Sequence, residues 1–265
     1  MLQFIIGNLK TQLTSQPDAT IVSVSQNDNH NQCQDPAELA INEAEGSPIG
    51  AMLRGVNAIA RALAPRFPHV GFDTLGNYPG NEPIPRLTKP EPNVIIRLCN
   101  GGANGSKAAA LTDPINAEFA AVVKGWYDLA GATARLYIWN YVVDFGNPTQ
   151  SYPNYYAIGM SHCRLTIAQA HGQSSANWNL SAGPDIKFFA ETGVRGVFEE
   201  GPGLAEGDGS DLEELKDYVM AELLWDPSLD PDQVISRLTF VVFSPSLLEN
   251  PSVKTVQSGP VSPKS

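Results

Sequence analysis

Five short apolar runs constrain this chain more than any other feature. They fall at residues 21–25, 70–75, 93–99, 135–142 and 194–199. Each is rich in β-branched and aromatic residues, and turn or breaker residues bound most of them. They are apolar along their length rather than alternating, which fits strands of a parallel sheet covered on both faces. Helical patterns separate several of them. At 49–64, Ile49, Leu53, Val56, Ile59, Ala60 and Leu63 recur on one face, and Pro65 stops the helix. At 114–130, Asp113 is the expected N-cap and Pro114 the first helical residue, with Phe119, Val122, Trp126 and Leu129 as the apolar stripe. Residues 184–192 read as a short helix that Gly193 ends. From Ser210, Ser-Asp-Leu-Glu makes a capping box with Glu213, and Leu212, Leu215, Val219 and Leu223 face inward. This alternation predicts an α/β fold of βα units with parallel strands, and leaves a barrel and a doubly wound sheet both open.

Two stretches break the rhythm. Residues 159–182 are polar and aperiodic and read as an irregular insertion. Residues 239–265 are rich in Ser, Pro and Val and read as a disordered tail. Residues 1–238 then form one domain. The chain has 265 residues, enough for one barrel-sized unit.

The net charge of −11 excludes partners that would be repelled by it. Phosphate backbones and anionic membrane surfaces are both disfavoured, so neither nucleic acid nor membrane is expected as a partner. No apolar run reaches the length of a membrane-spanning helix. The first ten residues lack the basic start, apolar stretch and cleavage site of a secretory leader, which leaves the compartment open. The three cysteines, at 33, 99 and 163, are too sparse for a disulfide framework and lack zinc-ligand spacing. The four histidines show no metal spacing either. Residues 100–106 are glycine-rich but lack both the dinucleotide fingerprint and the P-loop lysine, so no cofactor is expected. The oligomeric state is not legible.

In parallel α/β folds the chemistry gathers at the C-terminal ends of strands. The first run is followed by Ser25-Gln-Asn-Asp-Asn-His30, where Asp28 is a candidate catalytic carboxylate and Asn27 a candidate hydroxyl binder. A polar turn capping the next helix is an equal alternative. The fourth run carries Trp139, Asn140 and Tyr141, aromatic faces and an amide that suit a sugar ring. The fifth ends in Glu199 and Glu200 before a Gly-Pro-Gly turn; adjacent strand residues point to opposite sides, so only one is expected to face the site. Arg97 lies inside an apolar run and needs a partner, either a carboxylate of the site, a substrate, or an internal salt bridge. Carboxylates at separate strand ends with aromatics between them are what glycoside hydrolysis requires, with one acid for the leaving oxygen and a second to attack or to activate water.

Several blocks, in order, resemble domain-of-unknown-function family 4838. They are Ile21-Val-Ser-Val-Ser-Gln-Asn-Asp-Asn29, Glu45-Gly-Ser-Pro48 with Leu53 to Asn57, Pro92-Asn-Val-Ile-Ile-Arg-Leu-Cys99, Tyr137-Ile-Trp139 with Tyr141, Gly193-Val-Arg-Gly-Val-Phe-Glu-Glu-Gly201, and Leu223-Leu-Trp-Asp-Pro227. The resemblance spans about residues 19–236. It implies a glycoside-hydrolase-type TIM barrel similar to α-glucuronidases and β-hexosaminidases. The five strands would then be barrel strands four to eight of a partial barrel. It also implies a carbohydrate substrate. Asn140 stands where the family often has Asp, which implies no acid at that position. Two alternatives stand beside hydrolysis: a non-catalytic carbohydrate-binding or scaffold protein, and an inactive truncated gene product.

Overall fold

The structure is a computed structural model, and it describes residues 1–27, 31, 33–77, 83–100, 110–131, 135–141, 182–200, 213–231, 233–235 and 237. The side chains of residues 141, 182, 200 and 213–216 are outside that description. In chain order the elements are α1 (Leu2–Ser15), β1 (Ile21–Ser23), α2 (Pro36–Glu45), α3 (Gly50–Leu63), β2 (Gly71–Leu75), β3 (Val94–Cys99), a 3-10 turn (Pro114–Asn116), α4 (Ala117–Ala130), β4 (Arg135–Tyr141), α5 (Ala182–Thr192), β5 (Gly196–Glu200) and α6 (Glu213–Trp225). All five expected strands form, with ends within about two residues of the apolar runs.

The sheet resolves the choice between barrel and doubly wound topology. Its order is β1-β2-β3-β4-β5, the order of the sequence, and every described pair is parallel. A doubly wound sheet reverses direction at a switch point. Here nothing reverses, and the five strands make a curled half-barrel with helices packed on its outer face.

Register decides which residues look outward. Val22, Phe72 and Val94 align across three strands, Thr74 aligns with Ile96 and Leu136, and Leu98 aligns with Ile138 and Val197. The apolar members of these rows join Leu53, Val56, Leu63, Phe119, Val123 and Trp126 from the helices in one core. The inner face carries the other rows: Ser23, Asp73, Ile95 and Arg135; then Leu75, Arg97, Tyr137 and Gly196; then Cys99, Trp139 and Phe198.

α3 is the keystone of the outer layer. The face expected for it is fully buried, from Ile49 at 3% exposed to Leu53 and Ala60 at 0%. Each large aliphatic side chain so buried contributes about 1.5–3 kcal/mol. α1 and α2 pack against α3, and α3 packs on β2 and β3. Neither α1 nor α2 was evident as a helix in the periodic pattern. α2 is short and has only Leu39 and Ile41 as large apolar residues, yet its ends are well marked. Asp35 accepts from the Ala37 N–H at 2.8 Å, Pro36 is its first residue, and Gly46 takes the left-handed conformation (φ 64°) beyond its end.

Two helices differ in detail from the sequence expectation. Asp113 does cap the segment at 114, accepting from the Ile115 N–H at 2.9 Å, but the first turn is 3-10 and α4 begins at Ala117. The buried stripe of α4 is Phe119, Ala120, Val123 and Trp126; Val122 and Leu129 are only partly buried. α6 buries Val219, Met220 and Leu223. Ser210 and Leu212, the proposed insertion before residue 182 and the tail at 239–265 lie outside the described residues.

A buried carboxylate ties the outer layer together. Glu45, 0% exposed, ends α2. Its Oε1 accepts from Arg54 Nε at 3.0 Å and Nη2 at 2.6 Å and from the Thr88 hydroxyl; its Oε2 accepts from the Leu87 and Thr88 N–H groups at 2.9 and 3.0 Å. Asn57 continues the clamp, donating to the Lys89 carbonyl at 2.8 Å and accepting from the Glu91 N–H at 2.9 Å. The block Glu45-Gly-Ser-Pro48 with Leu53 to Asn57 therefore anchors the connection into β3.

Candidate functional site at the strand ends

β4 and β5 end side by side, and register pairs Asn140 with Glu199 and Tyr141 with Glu200. The strand thus runs through both glutamates, and alternation puts their positions on opposite faces, as expected for neighbours in a strand. Asn140 Nδ2 donates to Glu199 Oε2 at 2.7 Å. On its other side Asn140 Oδ1 accepts from Asn100 Nδ2, the first residue after β3. Both asparagines are buried, at 3% exposed. With Glu199 ionised its oxygens only accept, and each amide then hands its N–H toward β5.

The Glu199 carboxyl is half satisfied. Its Oε1 is buried and has no hydrogen-bond partner among the described residues. Burial, opposed by the Asn140 N–H, pushes its pKa up to about 7. Asp185, in the first turn of α5, is 4% exposed and accepts from the Leu111 N–H at 2.6 Å. Burial pushes its pKa up to about 8, against the Leu111 N–H, and the charge on Glu199 adds to the rise. Two carboxyls that sense each other lose their protons in two steps that belong to the pair. At neutral pH this rim therefore holds at least one carboxylic acid in its protonated form. Asp185 and Asn100 were not singled out from sequence. Asn100 was legible as the polar residue directly after a strand; Asp185 carried no such signal, since it enters from a helix.

The inner face holds a second cluster. Arg97 Nη2 pairs with Asp73, which is 1% exposed. Burial raises the Asp73 pKa, and the Arg97 charge and the Ser23 hydroxyl pull against it. The Arg97 guanidinium lies 5.5 Å from the Trp139 ring centroid, and Trp139 meets Phe198 at 4.6 Å with the planes tilted by 52°. Phe198 is 47% exposed. Arg97 therefore has an internal carboxylate partner, the plainer of the readings open to it.

The structure thus sorts the expected site into two faces. Asn140 and Glu199 meet on the outer face, Arg97 and Trp139 on the inner one. Asn27 is exposed after β1, at the opposite edge of the sheet from β5. Four strand spacings separate those edges, roughly 19 Å if the sheet were flat. Groups following β1 approach Glu199 only through the curl of the sheet. Asp28 lies outside the described residues, as do the side chains of Tyr141 and Glu200. Among the described residues no three His, Cys, Asp or Glu side chains gather as a metal site, and no helix is long and apolar enough to cross a membrane. Cys33 is exposed and Cys99 buried.

Neither the curated proteins nor the solved structures yield a match to this chain. A family model does match, over residues 1–178 and 169–246. The match takes in α1, ahead of the blocks named above, and its two parts overlap inside the stretch read as an insertion. The chain belongs to the family described as a domain of unknown function, DUF4838.

Proposed function

We propose that this chain is a glycoside-hydrolase-type domain that cleaves glycosidic bonds in carbohydrates, with Glu199 protonating the leaving oxygen. The observation that carries this reading is the state of Glu199. It lies at the end of a parallel strand, its Oε2 is held by Asn140, its Oε1 is unengaged among the described residues, and burial raises its pKa to about 7. A general acid at neutral pH needs those properties. Glycoside hydrolysis also needs a second carboxylate, which attacks or activates water. Asp28, after another strand, is the candidate for that role; Glu200 follows Glu199 directly in β5 and so has its position on the opposite face. Carbohydrate fits the strongly acidic chain better than an anionic polymer does.

The test uses the full chain and a panel of aryl glycosides and uronides. Glu199→Gln is expected to lower kcat by roughly 10²–10⁴-fold. The loss should shrink for substrates whose leaving group needs no proton. Unchanged turnover in folded Glu199→Gln removes Glu199 from the mechanism. Asp28→Asn, assayed alongside, tests the second carboxylate, and Glu200→Gln is the opposite-face control.

A second reading rests on a different observation. Trp139 and Phe198 pair on the inner face beside Arg97, independently of Glu199. Aromatic faces stack on sugar rings without cleaving them. Oligosaccharide binding by calorimetry with no release of reducing ends would favour a carbohydrate-binding role.

A further inference from the structure

The row of amides at the rim begins one strand earlier than Asn100. Asn77 follows β2 and is 2% exposed. Its Nδ2 donates to the Cys99 carbonyl at 2.8 Å, and its Oδ1 accepts from the Cys99 N–H at 2.8 Å. The side-chain amide thus stands in for a peptide group and pairs with β3 as another β2 residue would. The backbone N–H of Asn100 donates in turn to the Trp139 carbonyl at 3.1 Å. The last residue of β3 and the one after it are therefore fixed from both sides. From there the side chains take over: Asn100 donates to Asn140, and Asn140 donates to Glu199. Four consecutive strands each contribute one member to this row, and three of the four members are asparagines.

An asparagine amide can turn over, exchanging its donor and acceptor ends. Turned over, Asn140 would present Oδ1 to Glu199, oxygen against oxygen, and would favour a protonated carboxyl still further. Nothing within Asn140 prevents this. The donor arriving from Asn100 does, because it demands an acceptor at Oδ1. Asn100 can deliver that donor only while its own backbone is held, and Asn77 holds the residue before it.

We propose that Asn77 and Asn100 are positioning residues for Glu199, acting across three strands by holding the Asn140 amide in the orientation that donates to Oε2. This inference rests on the reading of Glu199 as the proton donor. Neither asparagine need touch substrate. Asp185, on the helix packed beside this rim, feels the charge on Glu199, so its own titration is followed alongside.

The test reads protonation without substrate, so it is separate from any test of turnover. The full chain, with carboxyl-labelled glutamate, is titrated by NMR. Asn140→Ala removes the direct N–H and should raise the Glu199 midpoint by about one unit. Asn100→Ala and Asn77→Ala should raise it in the same direction, by smaller amounts. An unmoved midpoint in folded Asn100→Ala and Asn77→Ala, with Asn140→Ala shifted, overturns the proposal. If a variant does not fold, the unmodified chain still decides. The side-chain amide signals of Asn140 and Asn100 should follow the Glu199 midpoint. An Asn100 amide that ignores that titration overturns the proposal as well. A chain with no glycosidase activity whose amides follow the titration supports the positioning row and removes only the hydrolytic reading.

Discussion

Replacing Glu45 by glutamine should unfold this protein more readily than almost any other single conservative change. Glu45 has no exposed surface and receives five donors, two from Arg54 and the rest from Leu87 and Thr88. Glutamine offers one acceptor oxygen and turns an NH₂ toward either the guanidinium or the two backbone N–H groups. Buried donors then face donors. Breaking one member of such a pair costs about 3–5 kcal/mol, against a total stability of about 5–15 kcal/mol. The pH dependence gives an independent figure. Burial alone would raise the pKa, but the Thr88, Arg54 and Leu87 donors outweigh it and hold the carboxyl at about 2 instead of 4.5. The difference of about 2.5 units is worth about 3 kcal/mol at most. Arg54 is 43% exposed, so solvent screening trims this to about 2 kcal/mol. A depressed carboxylate pKa stabilises the fold above the unfolded value, and that stabilisation is lost as pH falls from about 4.5 toward about 2. Urea unfolding of the native chain and of Glu45→Gln, followed by circular dichroism from pH 7 down to pH 3, should show a gap that narrows over the lower part of that range. A gap that stays constant with pH, or one below about 1 kcal/mol at pH 7, refutes the assignment of Glu45 as an ionised clamp.

Three further outcomes are expected. Activity should fall as pH rises through about 7, because Glu199 must carry its proton to give it away; a profile that climbs through that range contradicts the acid role. Asp185→Asn keeps an acceptor for the Leu111 N–H and removes a carboxyl whose pKa burial raises to about 8; relative to the native chain it should gain stability as pH climbs from about 4 to about 8, by on the order of 2 kcal/mol in denaturant titrations. Gly193 sits at φ 91°, and a Cβ there would lie 2.3 Å from the Tyr127 ring, so Gly193→Ala should cost about 1–3 kcal/mol by thermal unfolding.

The strands were legible because burial on both faces writes itself as unbroken apolar runs. Helices with a wide apolar face, such as α3, were legible for the same reason. α1 and α2 were not, although Leu9 and Leu13 stand one turn apart in α1, and Asp35-Pro36 and Gly46 mark the ends of α2. Thr11 and Thr14 dilute the first pattern, and the second helix has only Leu39 and Ile41 as large apolar residues. At the site, sequence named Asn140 and Glu199 but not their contact. That contact depends on register, which is set by how β4 lies against β5 and leaves no mark in either run alone. Asn77 and Asn100 were within reach of the same strand-end rule that selected Asp28 and Asn140. That Trp139 and Asn140 face opposite sides was legible from their adjacency, but which of them shares a face with Glu199 required the register.

Strand order in this sheet also governs how the fold can be assembled. Each strand lies beside its predecessor in sequence, so each new pairing closes one loop, shortest between β2 and β3 (residues 76–93) and longer at the other three. The entropy spent at each step grows slowly with the length of that loop. The shortest closure favours nucleation around β2, β3 and α3, where the clamp through Glu45 and Asn57 draws the intervening chain tight. Unfolding should run the other way, peeling from β1 and β5, and amide exchange should rank the strands from the edges inward.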